Sequence, residues 1–308
     1  MKRISKAIVM LMAVPTLVAS IVPMTVGFAA ALQTNGSVTA YDLLWFLLAT
    51  VAVILIETGK NTVNEYFDYL SGTDRFVDEE HLTPFSGGRR VLPSGILSGK
   101  EVICIGVVTF GLAIAAGLVM AFFKTFLIFW IGIIGIAISI CYTLPPFKLC
   151  YRGLGELAVG IVYGPLILLG TYTLIAEQYS LQPLLLSLPL GFLISNVLVI
   201  NEFPDYEADT KAGKKNLVVL LGKPKAVYLH GGLFFLAYAS ILPAIIYSGN
   251  FLLLLIILTA PIAVKACVNC KKNYDNIAML TNSNKMTIAV YALTGVLIIA
   301  AIVSGLFL

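Results

Sequence analysis

Charge is what this chain lacks. Of 308 residues only 12% are charged and 59% are hydrophobic, and the mean hydropathy is +0.96. So little charge cannot clothe a water-facing surface, which excludes an ordinary soluble globule and leaves a polytopic membrane protein. Cysteine is sparse as well: Cys104, Cys141, Cys150, Cys267 and Cys270 all avoid the segments expected outside, so no extracellular disulfide framework is available. Cys267 and Cys270 make a C-x-x-C without a second pair, which reads as packing rather than a metal site. The net charge of +4 comes from loops on one side of the membrane and gives no footing for nucleic acid.

What is present is apolar sequence in long runs. Stretches of about 20 residues span a bilayer core as helices, and they fall at about 7–31, 43–68, 102–123, 125–146, 155–176, 181–203, 226–247, 251–268 and 286–308. The expected fold is all-α, a polytopic bundle of about nine transmembrane helices forming one domain over 1–308, with motif halves of about 1–150 and 151–308. With the N-terminus inside, every Lys and Arg except Lys124 falls on the cytoplasmic face or in helix ends reaching it, the asymmetry expected of a multi-pass membrane protein. The basic, apolar opening resembles a secretory signal, but its uncharged run from Ala7 to Tyr41 is much longer than a signal's apolar core.

The outer connections are short, and the inner ones are long and charged: about Ser71–Lys100 and Tyr206–Lys225. Each follows one of two nearly identical segments, NEYFDY at 64–69 and NEFPDY at 201–206. Residues four apart share a helix face, so Asn64 stacks with Asp68, and Asn201 with Asp205 and then Asp209. Carboxylates near membrane depth are expensive and face the protein interior. Glu65, Glu202 and Glu207 lie off that face and read as wet helix-end acids, while Asp74 follows a turn at Gly72. Pro204 either bends its helix or marks its end.

Amide and carboxylate oxygens without His or Cys are hard ligands, suited to magnesium or calcium. Magnesium takes one or two carboxylates together with substrate phosphate oxygens, so two acidic helices ringed by basic residues read as a magnesium-diphosphate site. Arg89, Arg90, Lys148, Arg152, Lys211, Lys214 and Lys215 are the candidate donors to phosphate oxygens, and Gly87–Gly88 and Ala212–Gly213 permit close backbone approach. Tyr142 is a candidate for a ring facing a cation in a dry pocket. Tyr69 and Tyr206 read as interfacial belt residues. A divalent-cation transporter would need polar residues continuing to the outer face, where these spans are almost wholly apolar. The Asp-Gly-x-x-Ala-Arg signature of CDP-alcohol phosphotransferases is absent.

With those residues assembled, the chain resembles the UbiA superfamily of intramembrane prenyltransferases over nearly its whole length. NTVNEYFDYLSGTD is similar to the family's first aspartate-rich motif and NEFPDYEADTKAGKKNL to its second. YTLPPFKLCYRGLGE resembles its Tyr-x-x-Pro-Pro-x-Lys segment, and RRVLPSGILS its Arg-containing cap loop. The resemblance implies a central cavity open sideways to lipid, with Mg2+ held by Asn64, Asp68, Asn201, Asp205 and Asp209. It puts Lys148 on the diphosphate and likens the Arg89–Arg90 loop to the family's cap; joined to the basic and aromatic residues read above, the expected diphosphate set is Arg89, Arg90, Lys148, Arg152, Lys211 and Lys215, and the expected catalytic set is Asp68, Asp205, Lys148 and Tyr142. The substrates it implies are a polyprenyl diphosphate and an aromatic acceptor. The second motif looks most like the branch that prenylates 1,4-dihydroxy-2-naphthoate for menaquinone, with 4-hydroxybenzoate, other quinone precursors or an archaeal glycerol lipid as alternatives. Glu65 and Glu202 depart from the Asn-Asp wording of many members, which leaves their part in metal binding open.

Overall fold

The computed structural model describes residues 2–13, 17–72, 83 and 88–305, and among them every regular element is helical. In order these are α1 (Lys2–Met12), α2 (Val18–Asn35), α3 (Ala40–Ser71), α4 (Gly99–Phe123), α5 (Ile128–Thr143), α6 (Gly155–Ile161) and α7 (Ile167–Ala176). There follow α8 (Leu181–Lys211), α9 (Leu217–Leu221), α10 (Lys223–Ala239), α11 (Leu242–Ser248), α12 (Ala260–Asn273) and α13 (Ile277–Ser304). A π turn, Val162–Leu166, joins α6 to α7, and a 3-10 helix, Phe251–Thr259, leads into α12.

Among the described residues, eight segments are long and apolar enough to cross a membrane: α2, α3, α4, α6 with α7, α8, α10 with α11, the 3-10 helix with α12, and α13. The span expected at 125–146 is α5, whose 16 residues rise about 24 Å, less than a typical hydrocarbon core of about 30 Å. The span expected at 7–31 is divided. Ala7 and Leu11 of α1 bury themselves against Val91, Leu92, Leu97 and Val102, while Ile4, Ile8 and Val9 remain exposed. One face of α1 therefore docks on the loop that follows α3, and Asn61 Nδ2 takes up the terminal carbonyl of Leu11 at 2.9 Å.

Local chemistry sets the other breaks. Thr39 with Asp42 and Ser98 with Glu101 form reciprocal capping boxes that start α3 and α4. Pro243 lacks the N–H that would continue α10 into α11, so the span breaks after Ala239. In the 3-10 segment the buried residues are Leu253, Ile256 and Thr259, a spacing of three that a helix with three residues per turn aligns on one face.

α8 is the axis of the bundle, packed against α6, the π turn, α10 and α13, while α3 pairs with α4 and α2 with α7 and α13. Small residues make the α8 crossing close: a Cβ on Gly164 would stand 2.7 Å from Gly191 Cα, and one on Gly160 2.4 Å from Ser195 Oγ. Phe122, Phe123, Phe235, Ile246 and Phe251 are exposed on the outside of the bundle, as expected where the solvent is lipid. At the end remote from the two motifs, Lys124 bridges Asp42 of α3 at 3.2 Å and Glu177 after α7 at 2.7 Å. That clip joins three spans, and it gives the one basic residue expected on that side a structural partner.

Candidate active site

A cavity of about 540 Å³ opens among α3, α4, α5, α7 and α8. Its body is apolar, walled by residues such as Ile114, Leu118, Ile131, Ile138 and Leu166, and its polar end contains Asn64, Asp68, Asn201, Asp205, Asp209, Arg89, Tyr142 and Lys214. The two Asn/Asp edges, far apart in sequence, therefore line one chamber.

On α3, the four-residue spacing becomes a contact: Asn64 Nδ2 donates to Asp68 Oδ2 at 2.7 Å. Thr143 Oγ1 donates to Asn64 Oδ1 at 3.2 Å, and Tyr151 OH donates to Asp68 Oδ1 at 3.0 Å. The helix ends at Ser71, with Gly72 left-handed at φ 82°, the geometry glycine adopts without strain. Asp74 and Gly87 lie outside the described residues.

On α8, Asn284 Nδ2 of α13 donates to Asn201 Oδ1 at 2.7 Å. Asp209 accepts from Asn216 Nδ2 at 2.7 Å and faces Lys214 Nζ at 3.6 Å. Asp205 lies between them on the cavity wall. Pro204 does not end the helix, which runs on to Lys211.

The glutamates depart from expectation. Glu65 and Glu202 read as wet helix-end acids, yet they are 2% and 8% exposed, and only Glu207 is exposed, 3.8 Å from Lys223. The loop after α3 folds back over its helix: Glu65 accepts the backbone N–H of Arg89 at 3.2 Å and of Leu92 at 2.9 Å. Glu202 abuts Glu156 of α6, which accepts Leu217 N at 2.6 Å and so holds the loop after α8. Each motif helix thus carries a buried glutamate associated with the loop that covers it.

The basic residues divide by position. Arg89 and Lys214 line the cavity. Burial opposes charge on Lys214, but Asp209 and Asp68 outweigh it and hold its pKa well above the ordinary lysine value. Burial lowers the Arg89 pKa, against the pull of Glu57 and Glu65. Arg90 is half-buried at a left-handed φ of 58°. Lys148 stands over the Tyr151 ring, 5.2 Å from its centroid. Arg152 is exposed and donates to Pro146 O at 2.7 Å, and Lys211 and Lys215 are also exposed, away from the cavity lining.

Sequence reasoning passed over Tyr151, Glu156, Asn284 and the Glu57/Lys60 pair. Only the last had a readable signal, two ionisable residues one turn apart inside an apolar span.

The donor set suits magnesium. Among the described residues no three His, Cys, Asp or Glu side chains converge into one cluster. The amide and carboxylate oxygens are instead divided between two helices, an arrangement that leaves positions for water and phosphate oxygens, as Mg2+ requires.

A model of the UbiA prenyltransferase family matches residues 20–279. The chain is 28% identical over 252 residues to the 1,4-dihydroxy-2-naphthoate octaprenyltransferase of Bacillus subtilis (strain 168), covering 82% of this chain and 78% of that one. It is 30% identical over 253 residues to the enzyme of the same name from Mycobacterium tuberculosis (strain ATCC 25618 / H37Rv), covering 82% and 81%. In structure it is similar to a UbiA homolog from Archaeoglobus fulgidus bound to GPP and Mg2+, with a TM-score of 0.66 at 16% identity over 96% of this chain and 99% of that one. A helical bundle whose two Asn/Asp edges meet in one cavity, together with a family match across most of its length, makes this chain a prenyltransferase belonging to the UbiA family.

Proposed function

We propose that the protein transfers a polyprenyl group from polyprenyl diphosphate to 1,4-dihydroxy-2-naphthoate in a Mg2+-dependent reaction, with the motif end of the bundle cytoplasmic and the whole chain acting as one domain. The observation that carries this reading is the meeting of the α3 and α8 edges at the polar end of an otherwise apolar cavity. The acceptor rests on the two bacterial relatives and the orientation on the basic loops.

Asn64, Asp68, Asn201, Asp205 and Asp209 would hold Mg2+, which when bound supplies neutralising charge to the diphosphate. Tyr151 orients Asp68 through its hydroxyl. Lys214 and Arg89 donate to diphosphate oxygens as the bond between the prenyl C1 and oxygen breaks, the moment at which charge on the leaving group grows. The Tyr142 ring faces the allylic cation. The apolar walls accommodate the prenyl chain and keep water from capturing that cation. The acceptor ring carbon then bonds to C1, and loss of its proton or carboxyl group returns the electron pair to the ring.

The test is consumption of polyprenyl diphosphate by the purified protein in nanodiscs. Asp68→Ala and Asp205→Ala should each abolish Mg2+-dependent turnover, and unchanged product formation in both would sink the site.

A further inference from the structure

The protein covers only one sector of α1. The helix has 11 residues, so it rises about 16 Å and cannot cross a hydrocarbon core of about 30 Å. At about 100° per residue its side chains divide into three sectors. Ala7 and Leu11 form the buried one, against the loop after α3 and the start of α4. Ile4 and Ile8 lie about 60° to one side of it, followed by Val9, and these three are 43%, 36% and 55% exposed. Arg3 and Lys6 lie to the other side, and both are exposed. Beside Ile4 and Ile8 runs an apolar crevice of about 280 Å³, lined also by Leu97, Cys104, Ile105 and Val108.

The charges around α1 do not cancel. Glu101 is the one carboxylate on α1, on the described part of the loop after α3 or on the first turn of α4, and Arg3 pairs with it. Glu65 of α3 lies beneath the loop and is taken up by the backbone N–H groups of Arg89 and Leu92. Among the described residues Lys6 and Lys100 have no ion-pair partner, and both are exposed. A short helix with an exposed apolar flank on one side and basic residues on the other has the make-up of a helix lying in the bilayer interface, its basic side chains reaching up to phosphates.

What α1 holds gives that contact a consequence. Its buried sector rests on Val91, Leu92 and Leu97, in the loop that brings Arg89 to the cavity. Its last turn is fastened to α3 through Asn61, one turn before Glu65, and its first turn to α4 through Arg3 and Glu101. The loop is therefore enclosed between α3 and α1.

We propose that α1 is an interfacial strap whose remaining partner is the anionic phospholipid leaflet. Acyl chains cover Ile4, Ile8 and Val9 and fill the crevice, headgroup phosphates take Lys6, and the leaflet holds α1 down on the loop that carries Arg89. The lipid contact goes beyond the prenyl-transfer reading; its effect on substrate rests on that reading. A basic residue near an anionic surface is favoured about fivefold, so anionic lipid should lower the released fraction of α1 by about that factor.

The experiment places the full chain, one copy per disc, in nanodiscs of phosphatidylcholine alone or with about one third phosphatidylglycerol. Hydrogen exchange is followed in peptides containing Leu92, Ser94, Gly95 and Ile96, whose amides are bonded to Glu65 or within the loop. Anionic lipid should slow wild-type exchange about fivefold. It should also tighten geranyl diphosphate, measured with Mg2+ by calorimetry, about threefold, opposite to the shift a negative surface alone imposes on a negative ligand. Lys6→Gln should reduce the lipid response of exchange to less than twofold, Lys6→Arg should keep it above threefold, and Ile8→Ser should speed exchange at least threefold in both lipids. Equal wild-type exchange in the two lipids, a full response in Lys6→Gln, or unchanged exchange in Ile8→Ser overturns the strap. Exchange that slows with two copies per disc and not with lipid charge assigns the apolar flank to a second copy of this chain and overturns it as well. Slowed exchange with unchanged geranyl diphosphate affinity overturns the link from strap to substrate. No binding of geranyl diphosphate in either lipid overturns the prenyl-transfer reading, while the exchange rates still decide the strap.

Discussion

Glu65→Ala separates two roles for the acid beside Asn64. If the side chain anchors the loop after α3, its loss should be felt by the prenyl substrate; if it serves the metal, by Mg2+. Its two oxygens hold Leu92 N at 2.9 Å and Arg89 N at 3.2 Å, at a site only 2% exposed where water cannot replace them. A hydrogen bond to a charged group contributes about 1.5–3 kcal/mol, so removing both weakens loop docking by about 3–6 kcal/mol. That loop carries Arg89 into the cavity, and a smaller docked fraction raises the apparent dissociation constant in proportion. At about 1.4 kcal/mol per tenfold, the lower figure corresponds to roughly a hundredfold in KM for polyprenyl diphosphate. Glu65→Gln keeps one oxygen acceptor and should cost about tenfold by the same conversion. The assay is steady-state kinetics in nanodiscs, first varying the prenyl substrate at saturating Mg2+ and then the reverse. Half-saturation by Mg2+ should stay within twofold. An Ala variant with unchanged KM for the prenyl substrate and a tenfold higher Mg2+ requirement would refute the anchor.

Three further outcomes can be checked directly. Tyr151→Phe removes the donor to Asp68 Oδ1 at 3.0 Å, a hydrogen bond to a carboxylate worth about 1.5–3 kcal/mol; turnover should fall roughly tenfold or more, with the melting temperature lower by only a few degrees. Lys124→Met takes the ammonium from Asp42 Oδ1 in a buried pair and leaves Oδ2 on Thr39. Breaking a buried pair costs about 3–5 kcal/mol, so thermal stability in detergent should drop while KM and kcat hold. Burial pushes the Cys150 thiol up to about 12, so below that pH it remains protonated and its thiolate fraction climbs only as pH rises toward 12. Maleimide labelling of the folded protein at pH 8 should therefore be about a thousandfold slower than for an ordinary thiol, and mass spectrometry before and after denaturation in SDS reads the difference.

The pattern of what was legible follows from the range of the forces involved. Apolar runs report membrane helices because each residue answers to lipid on its own, and the spacing of Asn64 with Asp68 or Asn201 with Asp205 sets a shared helix face wherever the helix goes. Glu65 and Glu202 were opaque for the opposite reason. Their burial depends on loops that return over the helices, so residues equally polar on paper become a loop anchor, an interior acid or, for Glu207, a surface acid. The same holds for Lys214 against Lys211 and Lys215: one turns into the cavity between Asp68 and Asp209, and its neighbours face outward. The first span was misread because α1 has a partner in Val91, Leu92 and Leu97, a contact no local window contains.

By itself the sequence determined that this chain lives in a membrane as an all-helical bundle, that hard oxygen ligands recur on two helices, and that basic loops follow both. Those properties are carried by composition and by spacings of a few residues. Only the tertiary structure decided that the two edges share one cavity, which cations reach it, that Tyr151 and Asn284 brace the motif side chains, and that α1 packs on the loop carrying Arg89. Each of those depends on which helices pack together, and packing is set by contacts between residues far apart in the chain.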